Sequence, residues 1–395
     1  MFKDLKCQLK LLYLQKDISF GFLCLALFVL SLSINVSTFL LLCSLGLKIL
    51  DVIFRKKQLF FTKALRQSAI IGAIFFIYIL LNSLAQAGFN ATVEYYDTEY
   101  SKLILLPLSP ILLKGRTENR LLIYFLTSGT FFAIVFGIFY SVINIIPLNR
   151  EIFASVFDIH HTYLSLFILL IMNKCILKLF SAKLPKEKTV LLLLITLLGV
   201  YVMYSIESKT SMVIIVLLLC IHLFPQITPR NIPKVLFVIL FSIIILYAFN
   251  NKLRVGYERA LDFRVQIWEA AIQNINKSPF FGNTSQPEKS LLGYHHYLSG
   301  KYYFLDSDKN THNQYLAFIM RFGIVGLSIL LAFPILMFKK ISKKTSKQDF
   351  RETFGYLLIF GVIFYIENVL TRHHGIVVFT LFLNYYLVLI ENEKG

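Results

Sequence analysis

Long apolar stretches separated by short polar connections fill most of the chain. A helix needs about 20 mostly apolar residues to cross a bilayer, and the pattern predicts twelve such segments. They lie near residues 18–33, 36–54, 67–87, 100–113, 121–146, 159–180, 189–206, 209–224, 232–250, 312–338, 352–368 and 373–390. The fourth segment is short and contains Pro107 and Pro110, so we expect it to be kinked or only partly spanning. The predicted fold class is an all-α polytopic membrane protein with about twelve transmembrane helices.

Lys and Arg residues concentrate in alternate connections between these segments. The clusters lie near residues 3–16, 55–66, 114–120, 174–188, 230–234 and 339–351. By the positive-inside rule these connections face the cytoplasm, and so do both termini. Residues 1–250 would then hold nine transmembrane helices, residues 251–311 one long outer loop, and residues 312–395 the last three helices. Because one missed helix would move the later clusters to the wrong side, the unbroken alternation supports the predicted count.

The composition agrees with a membrane protein and excludes two other classes. Of the 395 residues, 57% are hydrophobic and 16% are charged. A soluble domain could not cover that much apolar surface, and a disordered chain would contain far less of it. The net charge of +18 suits anionic lipid headgroups, so we expect the lipid bilayer and no nucleic acid among the partners. Five cysteines without a C-x-x-C pair predict neither a disulfide framework nor a zinc-thiolate site.

The outer loop begins with a predicted amphipathic helix. Apolar residues recur every three or four positions: Leu261, Val265, Trp268, Ile272 and Ile275. This pattern is typical of a helix lying on the membrane surface. Arg264 precedes Trp268 by one turn, so the indole could brace the guanidinium while the guanidinium binds an anion. A solvated Arg reaching out from an interfacial helix explains the same spacing.

His312 and Asn313 lie where the outer loop enters the tenth segment. A histidine titrates near neutral pH and can accept a proton from an alcohol, and the adjacent helix N-terminus favours an anion. The sequence therefore makes His312 a candidate catalytic base and Asn313 a candidate substrate contact. A hydrated helix cap at the membrane surface explains the same two residues.

Two short outer connections add charged candidates. Lys209 stands between a serine and a threonine at a helix start, where it could hold a phosphate, although a pair with Glu207 explains it equally well. Near the C-terminus, Glu367 and Arg372 lie in a very short turn. Ionisable groups so close to hydrocarbon are costly unless they line a wet cavity or pair with each other.

Three pairs of adjacent histidines fall on the predicted outer side: His160-His161, His295-His296 and His373-His374. Adjacent residues on a helix do not face each other, and no carboxylate or cysteine stands at ligand spacing, so we predict no metal site. His160 or His161 could instead line the same cavity as His312. Arg150 and Asp158 in that loop are weaker candidates for the same cavity.

The order of these motifs resembles the superfamily of O-antigen ligases and Wzy-type O-antigen polymerases. The matching residues are Ser208–Thr210, Arg264 with Trp268, Lys277–Gly282, His312–Leu316, Gly323–Gly326 and Glu367–Gly375. The last stretch resembles an outer turn of the ligase-like branch, and the resemblance covers residues 190–390. Many members have Arg where this chain has Lys209, and Lys offers a point charge rather than a bidentate fork.

The resemblance implies a GT-C type glycosyltransferase in the bacterial inner (cytoplasmic) membrane with its active site facing the periplasm. It implies an inverting transfer without metal or cofactor, from an undecaprenyl-diphosphate-linked glycan to lipid A-core or another terminal acceptor hydroxyl. His312 would act as general base, and Arg264 would stabilise the leaving diphosphate. The residues that would contact the diphosphate or the glycan are Lys209, Arg264, Arg372, Glu367, His161 and Asn313.

Two other functions stay open at the level of the sequence. A Wzy-type polymerase would bind the same donor and use a second lipid-linked glycan as acceptor, so residue types barely separate it from a ligase. A lipid-linked glycan flippase or transporter would have related halves or charged residues near mid-bilayer. The charges here flank the predicted spans instead, with Arg321 inside the tenth segment as an exception.

Overall fold

The computed structural model describes residues 17–54, 59–95, 101–181, 184–223, 263–284, 286–305, 310–341 and 345–391. Every regular element in these ranges is helical, as the hydrophobic pattern predicts. The helices are α1 (Ile18–Val29), α2 (Ile34–Ile53), α3 (Lys63–Tyr95), α4 (Leu105–Leu112), α5 (Arg116–Ile143), α6 (Arg150–Phe157), α7 (His161–Ser181), α8 (Lys186–Ser205), α9 (Lys209–Leu223), α10 (263–277), α11 (Glu288–Leu298), α12 (Gln314–Lys340), α13 (Lys347–Ile366) and α14 (His373–Glu391). Short 3₁₀ turns cover Ser101–Ile104, Tyr302–Phe304 and Val369–Thr371.

Seven helices in the described ranges are long and apolar enough to cross a membrane: α2, α3, α5, α7, α8, α12 and α14. Helix α1, the stretch Ser101–Leu112 and helix α9 are apolar but shorter. The predicted fourth segment thus corresponds to a 3₁₀ turn and a short helix that contains Pro110. The predicted segment 352–368 appears as α13, and segment 232–250 lies outside the described residues. This architecture agrees with a polytopic membrane protein, while the total of twelve spans stays a prediction.

Burial separates central helices from peripheral ones of similar hydropathy. In the most apolar window of α14, 94% of the residues are buried, whereas the figure is 17% for both α2 and α8. Large apolar side chains on the peripheral helices are exposed, among them Phe39 and Leu42 of α2 and Leu194 of α8. An apolar surface of this extent requires a nonpolar surrounding, which a bilayer provides.

Residues 263–305 form a small helical cap at one end of the bundle, with residue 285 outside the described part. Helices α10 and α11 and the turn Tyr302–Phe304 share a second hydrophobic core, formed by Ile267, Ala270, Ala271, Leu291, Leu292, Phe304 and Met320 of α12. The buried face of α10 therefore matches the predicted apolar stripe only in part: Ile275 of the stripe packs against this core. Val265 and Ile272 of that stripe stay 44% and 48% exposed, as a helix on a membrane surface requires. Leu261 lies outside the described residues.

Two glycines with positive φ join the cap to α12. Gly282 (φ 67°) ends the turn after α10, and Gly323 (φ 65°) kinks α12. A side chain on Gly323 would overlap the carbonyl of Phe280, so only glycine fits there. The kink directs the N–H of Ile324 to the carbonyl of Pro279, at 2.9 Å. The Lys277–Gly282 and Gly323–Gly326 motifs are thus in direct contact.

The capped end of the bundle is the one at which α7, α9, α12 and α14 begin and α8 and α13 end; we refer to it as the site end. The opposite end is fixed by ion pairs such as Lys340 with Glu391, 3.5 Å apart. Four described residues other than glycine have positive φ, and all lie at the site end: Ile145, Asp158, Glu207 and His312. Such backbone conformations are costly and concentrate at functional sites, so they direct attention to this end.

Candidate functional site

The imidazole of His312 and the carboxylate of Glu367 are in contact at the site end. Nδ1 of His312 lies 3.3 Å from Oε1 of Glu367. His312 precedes α12 with φ of 46°, and Glu367 is the C-terminal cap residue of α13. The side chains are 29% and 16% exposed, so the ring keeps one accessible side. A carboxylate that fixes Nδ1 leaves Nε2 available for proton transfer.

Glu367 is ionised in this setting. Burial by itself raises the pKa of the Glu367 carboxyl, but the hydrogen bond and charge of His312, together with the backbone N–H of Asn368, bring the pKa below its ordinary value. The N–H of Asn368 donates to Oε1 at 3.2 Å. Glu367 therefore supplies a negative charge that orients His312 across the neutral pH range.

Arg264 of α10 extends into the field of the same carboxylate. Its side chain is half-buried, and this burial lowers the pKa of the guanidinium, while the charge of Glu367 acts in the opposite direction. A guanidinium remains protonated despite such a shift. The structure thus brings the predicted base and the predicted anion-binding Arg to one carboxylate.

Four further predicted residues surround this group. His160 has charged or titratable neighbours that act on it electrostatically: Glu367, Arg372, His312 and Arg150. The adjacent His161, whose ring centroid lies 4.1 Å from that of His160, is in the field of Arg150 and Glu367. Arg372 and Arg150 are exposed. We call the set Arg150, His160, His161, Arg264, His312, Glu367 and Arg372 the Glu367 cluster.

Among the seven residues of the Glu367 cluster, three have guanidinium groups and one has a carboxylate. Arg372 and Arg150 face solvent, so their donors can reach a ligand as well as the protein. An excess of guanidinium groups beside an accessible imidazole suits a ligand with phosphate or diphosphate groups.

A buried hydrogen-bond network lies beneath this cluster, and its main carboxylate was not predicted from the sequence. Glu288, the first residue of α11, is 5% exposed, Thr311 is 0% exposed and Asn368 is 1% exposed. Oε1 of Glu288 accepts from the N–H of Thr311 at 2.7 Å and from Nδ2 of Asn368 at 2.8 Å. Glu288 stands in a polar loop of the sequence, where nothing marks it as buried. Its proximity to residues 311 and 368 comes from the tertiary fold alone.

Trp268 supports the turn that carries His312. Its indole Nε1–H donates to the carbonyl of Thr311 at 2.9 Å, and its ring meets Tyr365 edge-on at 5.7 Å. Trp268 therefore holds the residue before His312, on the same helix that carries Arg264. Bracing of the Arg264 guanidinium by the indole stays a prediction.

Asn313 and Lys209 occupy different positions relative to the cluster. The side chain of Asn313 is 3% exposed and accepts from the N–H of Leu316 at 3.1 Å, so it caps α12 and holds the turn that carries His312. Lys209 is half-buried at the first position of α9, which packs against α7 and α13. Lys209 thus lies at the site end, beside the helices that carry His161 and precede Glu367.

The three histidine pairs are dispersed by the fold. His296 stacks on Phe304 inside the cap at 4.3 Å, and His374 stacks on Tyr163 at 5.3 Å. His373 contacts the hydroxyl of Thr38 at 3.2 Å. In the described part of the chain, no group of three or more His, Cys, Asp or Glu side chains is arranged to hold a metal ion.

An apolar cavity of about 260 Å³ lies between α12, α13 and α14. Its lining includes Tyr315, which follows His312 in the chain by three residues, and Phe364, which precedes Glu367 by three. The hydroxyl of Tyr315 donates to the carbonyl of Gly361 at 3.1 Å and ties α12 to α13 there.

Comparison with known protein families identifies part of this region. Residues 192–331 match the family model described as O-antigen ligase. The match contains Lys209, Arg264, Trp268, Glu288 and His312, and the family resemblance predicted from the sequence is confirmed. No curated protein matches the chain.

Proposed function

We propose that this chain, whose residues 192–331 match the O-antigen ligase family model, transfers a glycan from an undecaprenyl-diphosphate carrier to an acceptor hydroxyl. The family and the apolar helices indicate a membrane glycosyltransferase-like enzyme of the bacterial inner membrane. The observation that carries the proposal is the His312–Glu367 pair beside Arg264, within a cluster rich in guanidinium groups. That arrangement combines a proton acceptor with a binding site for a leaving diphosphate.

His312 acts as the general base in this proposal. Glu367 engages Nδ1, so Nε2 takes the proton of the acceptor hydroxyl. The acceptor oxygen forms a bond to the anomeric carbon, while the bond between that carbon and the phosphate oxygen breaks with its electrons on the undecaprenyl diphosphate. A single displacement of this kind inverts the anomeric configuration.

The leaving diphosphate is stabilised by cationic side chains. Arg264 is the first candidate, because it is half-buried and lies in the field of Glu367. Preorganised donors in a site shielded from water are worth more than the same groups in solution. Exposed Arg372 and Arg150 act electrostatically on His160, and Lys209 stands at the start of α9. We assign these three cations secondary contacts with the diphosphate.

The apolar cavity beside the cluster supports a lipid-linked donor. Its lining of aromatic and aliphatic side chains begins at Tyr315 and Phe364, within a few residues of His312 and Glu367. The first isoprene units of the carrier would enter it with the diphosphate at the Glu367 cluster. A donor held in this way has its reacting bond at the membrane surface.

The proposed topology places the Glu367 cluster on the side of the membrane where this donor would be used. With twelve spans in a GT-C type fold, both termini are cytoplasmic and the site end faces the periplasm. The loop 251–311 then covers the active site, and the helices of residues 1–250 and 312–395 form one membrane domain. The proposed partners are the bilayer, the undecaprenyl-linked glycan and lipid A-core as acceptor.

The test compares surface glycolipids and lipid-linked intermediates from cells that lack the protein, complemented with wild type or His312→Ala. A ligase predicts long glycan accumulating on the undecaprenyl carrier above bare lipid A-core. Lipid A-core bearing one repeat, with no ladder above it, would instead assign the chain as a polymerase whose acceptor is a second lipid-linked glycan. Normal glycolipids with His312→Ala would contradict a catalytic function for His312.

A further inference from the structure

Glu288 is buried beneath the Glu367 cluster, and the mechanism above gives it no function. Its side chain is 5% exposed, yet it makes three hydrogen bonds through both carboxylate oxygens. Its described partners are a backbone N–H and an amide, which are neutral donors. A buried carboxylate is costly, so its presence calls for an explanation.

The backbone turn at His312 is one of the two structures that Glu288 holds. Oε1 accepts from the N–H of Thr311 at 2.7 Å, next to the residue with φ of 46°. The N–H of His312 donates to Oδ1 of Asn310 at 2.9 Å, and Asn313 caps α12. A left-handed, non-glycine residue persists only where its neighbours fix it, and Glu288 fixes the residue before it.

The other structure is the segment that carries Glu367. Both oxygens of Glu288 accept from Nδ2 of Asn368, at 2.8 and 3.0 Å. Oδ1 of Asn368 accepts from the hydroxyl of Thr311 at 3.1 Å, and the N–H of Asn368 donates to Glu367 at 3.2 Å. One carboxylate therefore sets the position of the residue before His312 and of the residue after Glu367.

We infer that Glu288 is a positioning residue for the His312–Glu367 pair: it joins the cap helix α11 to both segments of the site and fixes the distance between base and carboxylate. The first turn of α11 favours this negative charge through the helix dipole. The inference rests on the proposed function, since it assigns Glu288 to a proton transfer at His312. Glu288 itself has no contact with substrate in this mechanism and acts through Thr311 and Asn368.

The test is Glu288→Gln in the full-length enzyme, assayed for glycan transfer with purified lipid-linked donor. The substitution keeps the size of the side chain but places an amide donor against Nδ2 of Asn368. We expect kcat to fall on the order of 100-fold, as for a catalytic pair displaced by about 1 Å. The KM for donor should stay within about twofold, because the diphosphate ligands are untouched.

Glu269→Gln is the matched control, because Glu269 belongs to the same cap but pairs with Lys301 at an exposed position, 3.3 Å away. It should keep wild-type kcat and KM. If Glu288→Gln proves too unstable to assay, Asn368→Ala removes the amide that links Glu288 to Thr311 while keeping the backbone N–H to Glu367. It should show the same loss of kcat at constant KM.

The inference would be overturned by a wild-type kcat in Glu288→Gln, or in Asn368→Ala if that variant is used instead. It would also be overturned if KM for donor rose by the same factor as kcat fell. Failure of the proposed function has a different signature. In that case the wild-type enzyme shows no transfer, or His312→Ala transfers normally, whatever Glu288 does. The double variant Glu288→Gln with Asn368→Ala should lose no more than the worse single variant, because both act through one network.

Discussion

Two polar clusters, one at each half of the bundle, differ in how far their charged side chains are open to solvent. Toward the opposite end from the cap, Nζ of Lys174 lies 3.8 Å from Oε1 of Glu352 and 3.3 Å from the hydroxyl of Tyr385. The same ammonium lies over the rings of Tyr124 and Tyr385, at 5.9 and 5.7 Å. The side chains of Lys174 and Glu352 are 14% and 6% exposed. The Lys174 cluster therefore has its counter-charge within the protein and is closed to solvent.

The Glu367 cluster is open instead. Arg372 and Arg150 are exposed, and the ring of His312 is 29% exposed. A closed ion pair stabilises packing, whereas cations at an open site can bind a ligand. Access to solvent therefore separates the two clusters, and it supports the proposal that the site end binds the substrate.

The largest effect on stability should come from the closed cluster. Glu352→Ala leaves the Lys174 ammonium buried without its counter-charge, so we expect the free energy of unfolding in detergent to fall by about 3–5 kcal/mol. Transfer activity per folded molecule should stay at the wild-type level. Glu187→Ala, at an exposed glutamate in the first turn of α8, is the control and should change neither quantity. A stable Glu352→Ala protein without activity would remove the distinction between the clusters.

Arg264→Ala should produce the largest loss of activity among the cations. Because Arg264 is half-buried near the reacting diphosphate, we expect kcat to fall about 100- to 1000-fold, as when a preorganised donor is removed. Arg264→Lys should recover part of this loss, since Lys keeps the charge without the bidentate fork. Lys301→Ala, a cap cation paired with Glu269, should stay within about twofold in the same assay. Equal effects of the two alanine variants would argue against a specific diphosphate site.

Glu367→Gln should change the pH dependence of transfer. The pKa of Glu367 is depressed in the folded protein, so its carboxylate is ionised at neutral pH and accepts from His312 until the pH falls through that depressed value. We expect the variant to lose about 10- to 100-fold in kcat, the size of a charge-assisted hydrogen bond. The acidic limb of its rate profile should lose the step that protonation of Glu367 contributes, because an amide does not titrate. An unchanged acidic limb would contradict the pairing of His312 with Glu367.

Arg372→Ala should have the smallest effect. Its guanidinium is exposed, so we expect less than about a tenfold rise in KM for donor, and a smaller rise at high salt because screening already weakens the contact. Steady-state kinetics at two ionic strengths test this expectation. A kcat loss as large as that of Arg264→Ala would move the leaving-group site to Arg372.

The helical class and many site residues could be predicted from the sequence for physical reasons. Apolar runs of membrane length mark spanning helices. Ionisable groups next to such runs are costly, and for this reason Glu367, Arg372 and Lys209 were candidates for the site. His312 stood out because it lies at a junction of loop and helix. These features are local, so the chain itself displays them.

The rest depends on contacts between distant segments. Glu288 is 80 residues from Asn368 in the chain, and no periodicity relates them. The buried face of α10 uses Ala270 and Ala271, whose short side chains give a weaker hydrophobic signal than Val265 and Ile272. The contact of Trp268 with Thr311 likewise spans 43 residues. These two contacts and the buried face of α10 depend on how the cap packs on the bundle, and the local sequence pattern does not show them.

General-base catalysis at His312 is tested most sharply with purified His312→Gln and wild-type enzyme. Glycan transfer and binding of the lipid-linked donor are measured on the same samples. Gln keeps a polar side chain but cannot accept the proton of the acceptor. We predict a loss of about 100- to 10,000-fold in kcat with donor affinity within about twofold of wild type. Wild-type turnover by this variant would contradict general-base catalysis at His312 and with it the assignment of the Glu367 cluster as the active site.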